Sequence, residues 1–395
     1  MAALKALFWI SLFVVFYSYL GYGLLIFLLV RLKKLLKKSI STRAAGEWYP
    51  EVSIVVSAYN EADFIEKKIQ NTLELEYDTD KLSILFVTDG SDDATPAIVS
   101  RYDSIRLLHQ PQRKGKAAAM TRAMKFVTTE FVIFSDANTL LNKEAVREMV
   151  RHYADPVVGG VAGEKKIITG SDARAAGIGE GFYWKYESFL KRMDSDLYSV
   201  VGAAGELFSI RSDLFEEIGD QVIIEDFVQT LRICEKGFRI RYEPNAFAME
   251  TSSATMKEEE KRKIRISAGA FQAMFMLKGL FNFFRYPVLS FQFVSHRVLR
   301  WTLCPLCLTV LFITNGIIAL EVSQGWYVFT FILQLVFYLL AFLGWVLANR
   351  NIRIKILFIP YYFLFMNVSV FLGFFRFLKK GQTVLWEKAS REKLV

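Results

Sequence analysis

Cysteine and histidine are scarce, with three of each in 395 residues. Three cysteines cannot build a disulfide framework. Cys304 and Cys307 form a CxxC, but inside an apolar segment with no second pair, which argues against a metal or redox role. Cys234 reads as a small core residue, and His109, His152 and His296 are too scattered for a histidine-based metal site. Charge is limited as well. Charged residues are 23% against 53% hydrophobic, with 35 Phe, too apolar for a soluble enzyme and too charged for a chain wholly inside a bilayer. The net charge of +9 invites a nucleic-acid reading, but much of the surplus lies in short runs beside apolar segments: Lys33, Lys34, Lys37 and Lys38; Arg350, Arg353 and Lys355; Arg376, Lys379 and Lys380. That pattern anchors a chain against anionic lipid on the cytoplasmic side, so the expected partner is membrane lipid and no nucleic acid.

Residues 7–30 run almost without charge, long enough to cross a bilayer. The basic cluster follows this run instead of preceding it, so it reads as a retained anchor and not a cleaved signal. Residue 1 is then outside and residue 33 onward cytosolic. Residues 1–32 form the anchor and 33–50 a basic linker, after which 51–285 reads as a soluble α/β domain. Val52–Ala58, Leu82–Thr88, Ile105–His109 and Phe131–Ser135 are strands in a strand–helix rhythm that predicts a mostly parallel sheet. Thr95 and Pro96 read as an N-cap and first helical position. Beyond residue 140, helices are expected at 142–153, 173–193, 225–236 and 257–278, with strands near 157–168 and 238–242. Residues 286–300 suit an interfacial helix, and 301–320 and 326–348 are spans. Residues 354–375 are either a further span or an interfacial or re-entrant hairpin, within a C-terminal membrane region of 301–378 before a basic tail, 379–395.

The polar residues that matter fall at strand ends. Phe131–Ser135 is an apolar run ending in Asp136, with Asn138 two positions on. Such a strand is buried on both faces, and ligands of open α/β sheets sit beyond the carboxyl ends of these strands. Asn60 and Glu61, Asp89 and Asp92, and Lys116 occupy comparable positions, and Glu225-Asp226 follows the apolar Val222–Ile224. Acids at one sheet edge with a lysine nearby suit a nucleotide diphosphate and its cation, since metal and lysine neutralise the phosphates. Asp92 and Asp93 alone read as caps or surface acids.

The segments Ser57-Ala58-Tyr59-Asn60-Glu61, Thr88-Asp89-Gly90-Ser91-Asp92-Asp93, Gly115-Lys116-Ala117, Ser135-Asp136-Ala137-Asn138 and Ile224-Glu225-Asp226 together resemble the membrane-bound family 2 glycosyltransferases, the group of hyaluronan, cellulose, chitin and poly-N-acetylglucosamine synthases. The resemblance spans about residues 50–300 and weakly the tail, at Gly381-Gln382 and Trp386-Glu387-Lys388. It implies a GT-A fold (Rossmann-like, mostly parallel) in a cytosolic domain flanked by transmembrane and interfacial helices, a UDP-sugar donor, and inversion at the anomeric carbon. Carried over residue by residue, it implies donor contacts at Asn60, Glu61, Asp89, Lys116 and Arg265. Asp136 and Asn138 would face a Mg²⁺ or Mn²⁺ ion, and Asp226, with Glu225 beside it, would be the catalytic base. Trp184, Gly205 and Glu206 would lie on the acceptor side. Two departures stand out: Asn138 replaces a second aspartate, and the QRxRW-like motif survives only as Arg262-Lys263-Ile264-Arg265-Ile266, without its tryptophan.

The expected function is therefore an inverting hexosyltransferase, multi-pass in the cell (inner) membrane, adding sugar from a UDP-GlcNAc or UDP-Glc type donor to a growing β-linked polysaccharide. Export through its own helices is an open part of that reading. The alternatives are single transfer to a lipid-linked acceptor, which the missing tryptophan favours, and an inactive scaffold or transport component.

Overall fold

The computed structural model describes residues 1–36, 48–168, 175–251, 253, 255–322, 325–350, 352 and 354–379. Lys37 and Lys38 in the basic linker and the family-like tail at 381–388 lie outside the described residues. Eight strands form one sheet: β1 Val52–Ala58, β2 Leu82–Asp89, β3 Arg106–Gln110, β4 Phe131–Asp136, β5 Leu140–Leu141, β6 Val158–Ile168, β7 Leu207–Arg211 and β8 Arg239–Thr251. Their spatial order is β3-β2-β1-β4-β7-β6-β8-β5. The β3-β2-β1-β4 half is parallel throughout, and β6 pairs parallel with β8, while β7 and β5 pair antiparallel with their neighbours. This is a GT-A type, Rossmann-like sheet.

Alternation along the strands divides the core in two. Val55, Val87, Val132, Phe134 and Phe208 point to one face, covered by the helices Lys116–Met124, Glu225–Glu235 and Met256–Met276. Ile54, Val56, Phe86, Phe131 and Ile133 point to the other, against Ile65–Leu73 and Ala145–Val150. Because both faces are covered, β1 and β4 carry apolar residues nearly throughout.

Sequence and structure differ in particular places. The expected strand near 238–242 extends to Thr251, and the helix expected at 142–153 is Ala145–Val150 followed by a 3₁₀ turn. β5 and β7 have no counterpart in the sequence reading. Thr95 is not an N-cap: the helix begins at Thr95 with Ala94 in the cap position, and the Asp93 carboxylate accepts from Thr95 N at 2.9 Å. The Thr95 hydroxyl instead accepts from Glu61 N at 2.8 Å, tying the turn after β1 to the turn after β2.

Four helices are long and apolar enough to cross a membrane among the described residues: Ala2–Leu36, Leu303–Glu321, Gly325–Asn349 and Ile356–Leu378. The first contains a π-helical segment, Tyr17–Gly21. Such a segment loosens the backbone ladder, and two carbonyls there take side-chain donors. Arg300 Nε donates to Ser18 O at 3.0 Å, and the Tyr186 hydroxyl donates to Tyr19 O at 2.5 Å. Below it, a buried polar cluster joins this helix to the domain. Asp194 accepts from the Tyr22 hydroxyl at 2.5 Å and lies 2.6 Å from His296 Nδ1, while Glu187 pairs with Arg297 at 2.6 Å. His296, set aside in the sequence as a metal ligand, is thus the hinge of a junction between membrane helix and domain.

Candidate active site

Strand register decides which residues meet. Ser57 of β1 is level with Asp136 of β4, and Ala58 with Thr88 of β2, so the segments after β1, β2 and β4 open on one edge. β7 runs antiparallel to β4 with Leu207 opposite Ser135, which delivers the preceding loop, Gly202–Glu206, to that same edge. The helix Glu225–Glu235 starts there too.

Lys116 is the point where the chain converges. Its Nζ lies 2.6 Å from Asp136 Oδ1 and 3.1 Å from Glu225 Oε1, and donates to Gly205 O at 3.1 Å. Burial works against its charged form, but Asp136, Glu225 and Asp226 outweigh it and hold the ammonium well above the usual lysine range. Asp226 lies beside this cluster: a Cβ added at Gly205 would stand 2.8 Å from Lys116 Nζ and 3.3 Å from Asp226 Oδ2. Glycine here keeps the backbone clear between lysine and acid. Burial, and then the neighbouring Glu225, push the Asp226 carboxyl up to about 7, with Lys116 opposing.

Asp89 is fully enclosed. Its Oδ2 accepts from Lys114 N at 3.0 Å and Gly115 N at 2.7 Å, fixing the turn that presents Lys116. Its Oδ1 has no hydrogen-bond donor and sits 3.7 Å from Arg122. Asn60 adopts a left-handed backbone (φ 51°) and exchanges hydrogen bonds with Asp92, donating from Nδ2 at 2.6 Å and accepting from Asp92 N at 3.0 Å. Next to it Arg113 lies 3.5 Å over the Tyr59 ring. Asn138 is half-buried in the turn after β4.

Arg265 faces this edge from the helix Met256–Met276, feeling the charges of Glu225 and Asp136 along with those of Arg262 and Arg376. Glu206, which the resemblance assigns to the acceptor, pairs with the fully buried Lys165 at 2.5 Å, and Lys165 also contacts Glu250. That pairing outweighs burial and holds Glu206 well below the usual carboxylate range. Trp184 lies between Lys165 and Lys191, 5.0 Å and 5.3 Å from its ring, with its indole N–H unpartnered. Tyr183 and Tyr186, on the same helix as Trp184, pack against membrane-side helices.

One residue escaped the sequence reading. Lys68 is fully buried beneath β4 and donates to Ser135 Oγ at 2.8 Å, next to Asp136. Burial pulls its ammonium down to about 7, with Asp136 opposing. Its signal was its place on the buried stripe Ile65, Lys68, Ile69, Thr72. Lys68 is held by one hydroxyl and not by an ion pair, so its removal strands no buried carboxylate partner, and Lys68→Met should shift the thermal midpoint by no more than about 3 °C, read by fluorescence melting in detergent.

Among the described residues no three His, Cys, Asp or Glu side chains group as a self-sufficient metal site. The residues fit a cation of another kind. Mg²⁺-like ions are commonly held by one or two carboxylates, with phosphate oxygens and water completing the shell. Asp136 and Glu225 already share one cation, the Lys116 ammonium.

Residues 53–219 match the model of glycosyl transferase family 2. The poly-beta-1,6-N-acetyl-D-glucosamine synthase of Staphylococcus aureus (strain MSSA476) is 24% identical over 263 residues, 63% of this chain and 62% of that one. The probable glycosyltransferase YdaM of Bacillus subtilis (strain 168) is 26% identical over 258 residues, 60% of this chain and 58% of its own. The match thus spans about three fifths of these relatives' length. The structure of the mannosyltransferase PcManGT from Pyrobaculum calidifontis, in complex with GDP-Man and Mn²⁺, superposes with a TM-score of 0.69 over 95% of this chain and 100% of that one, at 22% identity. Residues 53–219 are similar to the glycosyl transferase family 2 domain, and that is the family to which the comparisons liken this chain.

Proposed function

We propose that this protein transfers a sugar from a nucleotide diphosphate donor to a hydroxyl of a glycan acceptor at the cytosolic face of a membrane, with inversion at the anomeric carbon. The observation that carries the reading is the meeting of Asp136, Glu225, Asp226 and Lys116 at one sheet edge. In the reaction the Asp226 carboxylate takes the proton of the acceptor hydroxyl. The acceptor oxygen bonds to the anomeric carbon from the face opposite the diphosphate, and the bond from that carbon to the phosphate oxygen breaks. A hydroxyl is a poor nucleophile, so a carboxylate in hydrogen-bond reach supplies much of the rate. Lys116 and Arg265 supply positive charge at the diphosphate. A divalent cation at Asp136, with Asn138 at its margin, would neutralise charge building on the leaving group.

The enclosed, donor-less Oδ1 of Asp89 suits a nucleobase N–H. Asn60 and Glu61 lie at the same end, where the Tyr59–Arg113 stack supplies a flat surface. Similarity to a poly-N-acetylglucosamine synthase supports a UDP-sugar, of the GlcNAc or glucose type, and polysaccharide as product. The solved relative bound to GDP-Man keeps a guanosine donor in the comparison. Gly205, Glu206 and Trp184 flank the acceptor path. The long apolar helices support a multi-pass inner-membrane protein with this domain on the cytosolic side.

Purified protein with Mn²⁺ or Mg²⁺ and a panel of UDP-GlcNAc, UDP-glucose and GDP-mannose tests the reading. Release of nucleoside diphosphate from one donor is expected, and release from none contradicts it. Asp226 must be ionised to accept a proton and its carboxyl is raised to about 7. The sign is therefore fixed: kcat/KM falls as pH drops through about 7, where an unshifted aspartate would hold activity down to about pH 4.

A further inference from the structure

We infer that the last described helix, Lys355–Leu378, lies along the cytosolic face of the membrane instead of crossing it, and that its Arg376 joins Arg265 in a cationic wall of the active site. The second half of this inference rests on the sugar-transfer reading; the first does not.

By length the helix qualifies as a span: 24 residues rise about 36 Å against a hydrocarbon core of about 30 Å. Its neighbours say otherwise. Near its start, Phe358 and Tyr362 pack with Tyr183 and Met256 of the catalytic region, and the Tyr362 hydroxyl donates to Glu259 Oε1 at 3.2 Å. At its far end, Phe374 and Phe377 lie 5.0 Å and 6.2 Å from the Phe271 ring, and Phe377 stacks on Phe275 at 5.6 Å. Between these points a Cβ added at Gly373 would stand 2.4 Å from Ser267 Cβ and 3.0 Å from Ile264 O, so the two helices touch backbone to backbone. The helix therefore runs beside Met256–Met276 from end to end.

That partner cannot lie in hydrocarbon. Eight of its first ten residues are charged: Lys257, Glu258, Glu259, Glu260, Lys261, Arg262, Lys263 and Arg265. Ionised groups at bilayer depth are costly. Among the described residues the membrane hairpin meets the last helix through Gly344 against Leu357 and Tyr361, and Phe337 against Phe363, and the N-terminal helix reaches it at Asn367, which accepts from the Tyr19 hydroxyl at 3.0 Å. From there the helix leaves the hairpin, and Val370 and Phe377 pack on the catalytic core itself. Its outward stripe is apolar: Val368, Leu372, Phe375 and Leu378 are exposed at helical spacing, with the exposed Lys379 beside them and Arg376 partly buried. An apolar stripe edged by cations suits the boundary between acyl chains and anionic headgroups.

The contact of Gly373 with Ile264 and Ser267 brings Arg376, one turn on, close enough to Arg265 for the two like charges to interact, and Arg265 also feels Glu225 and Asp136. Among the described residues neither guanidinium has a hydrogen bond or ion pair. Two unpaired guanidiniums beside the acid cluster are a receptor for a diphosphate.

Substituted-cysteine labelling decides the placement. In a variant freed of Cys234, Cys304 and Cys307, a membrane-impermeant maleimide applied to intact cells should spare Lys379→Cys while labelling Gly325→Cys in the hairpin turn. In inverted vesicles Lys379→Cys should label. Labelling of Lys379→Cys from outside overturns the inference. Arg376→Ala should weaken UDP binding at least about five-fold in Mn²⁺, and Arg376→Lys should recover part of it. An unchanged affinity in Arg376→Ala removes Arg376 from the site. If the unaltered protein binds neither UDP nor GDP, the sugar-transfer reading fails, while labelling still decides where the helix lies.

Discussion

Asp226→Asn is expected to reduce sugar transfer by about 10²–10⁴-fold while nucleotide binding stays within about three-fold. The amide keeps the size and the hydrogen-bonding reach of the carboxylate and removes only its capacity to take a proton. Asp226 is suited to that task by position. It stands at the first turn of Glu225–Glu235, beside the Gly205 backbone and next to the Lys116 cluster, and burial with Glu225 brings it to about 7. Glu225 is differently placed, on Lys116 itself, and has a holding role in this account. Glu225→Gln should therefore raise the donor KM more than it lowers kcat, the reverse of the Asp226→Asn pattern. Initial rates against donor concentration for both variants separate the roles. Turnover by Asp226→Asn at the unaltered rate excludes Asp226 as the base.

Lys165→Met is expected to cost about 3–5 kcal/mol of stability, or to prevent folding. Lys165 is fully enclosed and is paired with both Glu206 and Glu250. Removing it strands two carboxylates in a medium of low polarity, which is far costlier than losing the attraction itself. The pairing has a pH signature. Glu206 is held below its ordinary value, so the stability it contributes is present above about pH 4.3 and is lost as pH falls towards the depressed value. Lys165→Met with Glu206→Gln should recover part of the loss, since one stranded charge is then neutral. Thermal unfolding of the single and double variants reads this directly. A single variant as stable as the parent would show that the pair contributes little.

How much of this was legible in the sequence depended on whether a signal was local. The strands β1, β2 and β4 announce themselves because burial on both faces leaves few polar residues in them. The acids after those strands follow from the same pattern, since parallel register brings their ends to one edge. β7 gave no such notice: it is five residues long and owes its existence to antiparallel pairing with β4, more than 70 positions earlier. Lys68 gives no notice of burial because lysine usually faces solvent, yet the helix that carries it docks with that face on the sheet. Spacing sets His296 aside as a metal ligand and says nothing more, whereas its place beside Asp194 and Glu187 depends on three segments meeting. The last helix is the same case, since apolar composition alone does not distinguish a span from a helix laid on the membrane surface.

The Asn138 and Arg262–Arg265 departures bear on product more than on chemistry. Without the tryptophan of the QRxRW-like motif, an aromatic platform for the acceptor has to come from elsewhere. Trp184 is near Glu206 through Lys165 and has an unpartnered N–H. Single transfer to a lipid-linked acceptor remains the rival to polymer synthesis. Chain length of the product, resolved by mass spectrometry, separates the two.

The central claim is that Asp136 and the groups around Lys116 bind a nucleotide diphosphate together with a divalent cation. Calorimetric titration of UDP and GDP into the purified protein, with and without Mn²⁺, tests it most directly. The account predicts that one of the two binds in a cation-dependent way and that Asp136→Asn weakens that binding at least about ten-fold. Nucleotide binding that is indifferent to both the cation and Asp136 would contradict it.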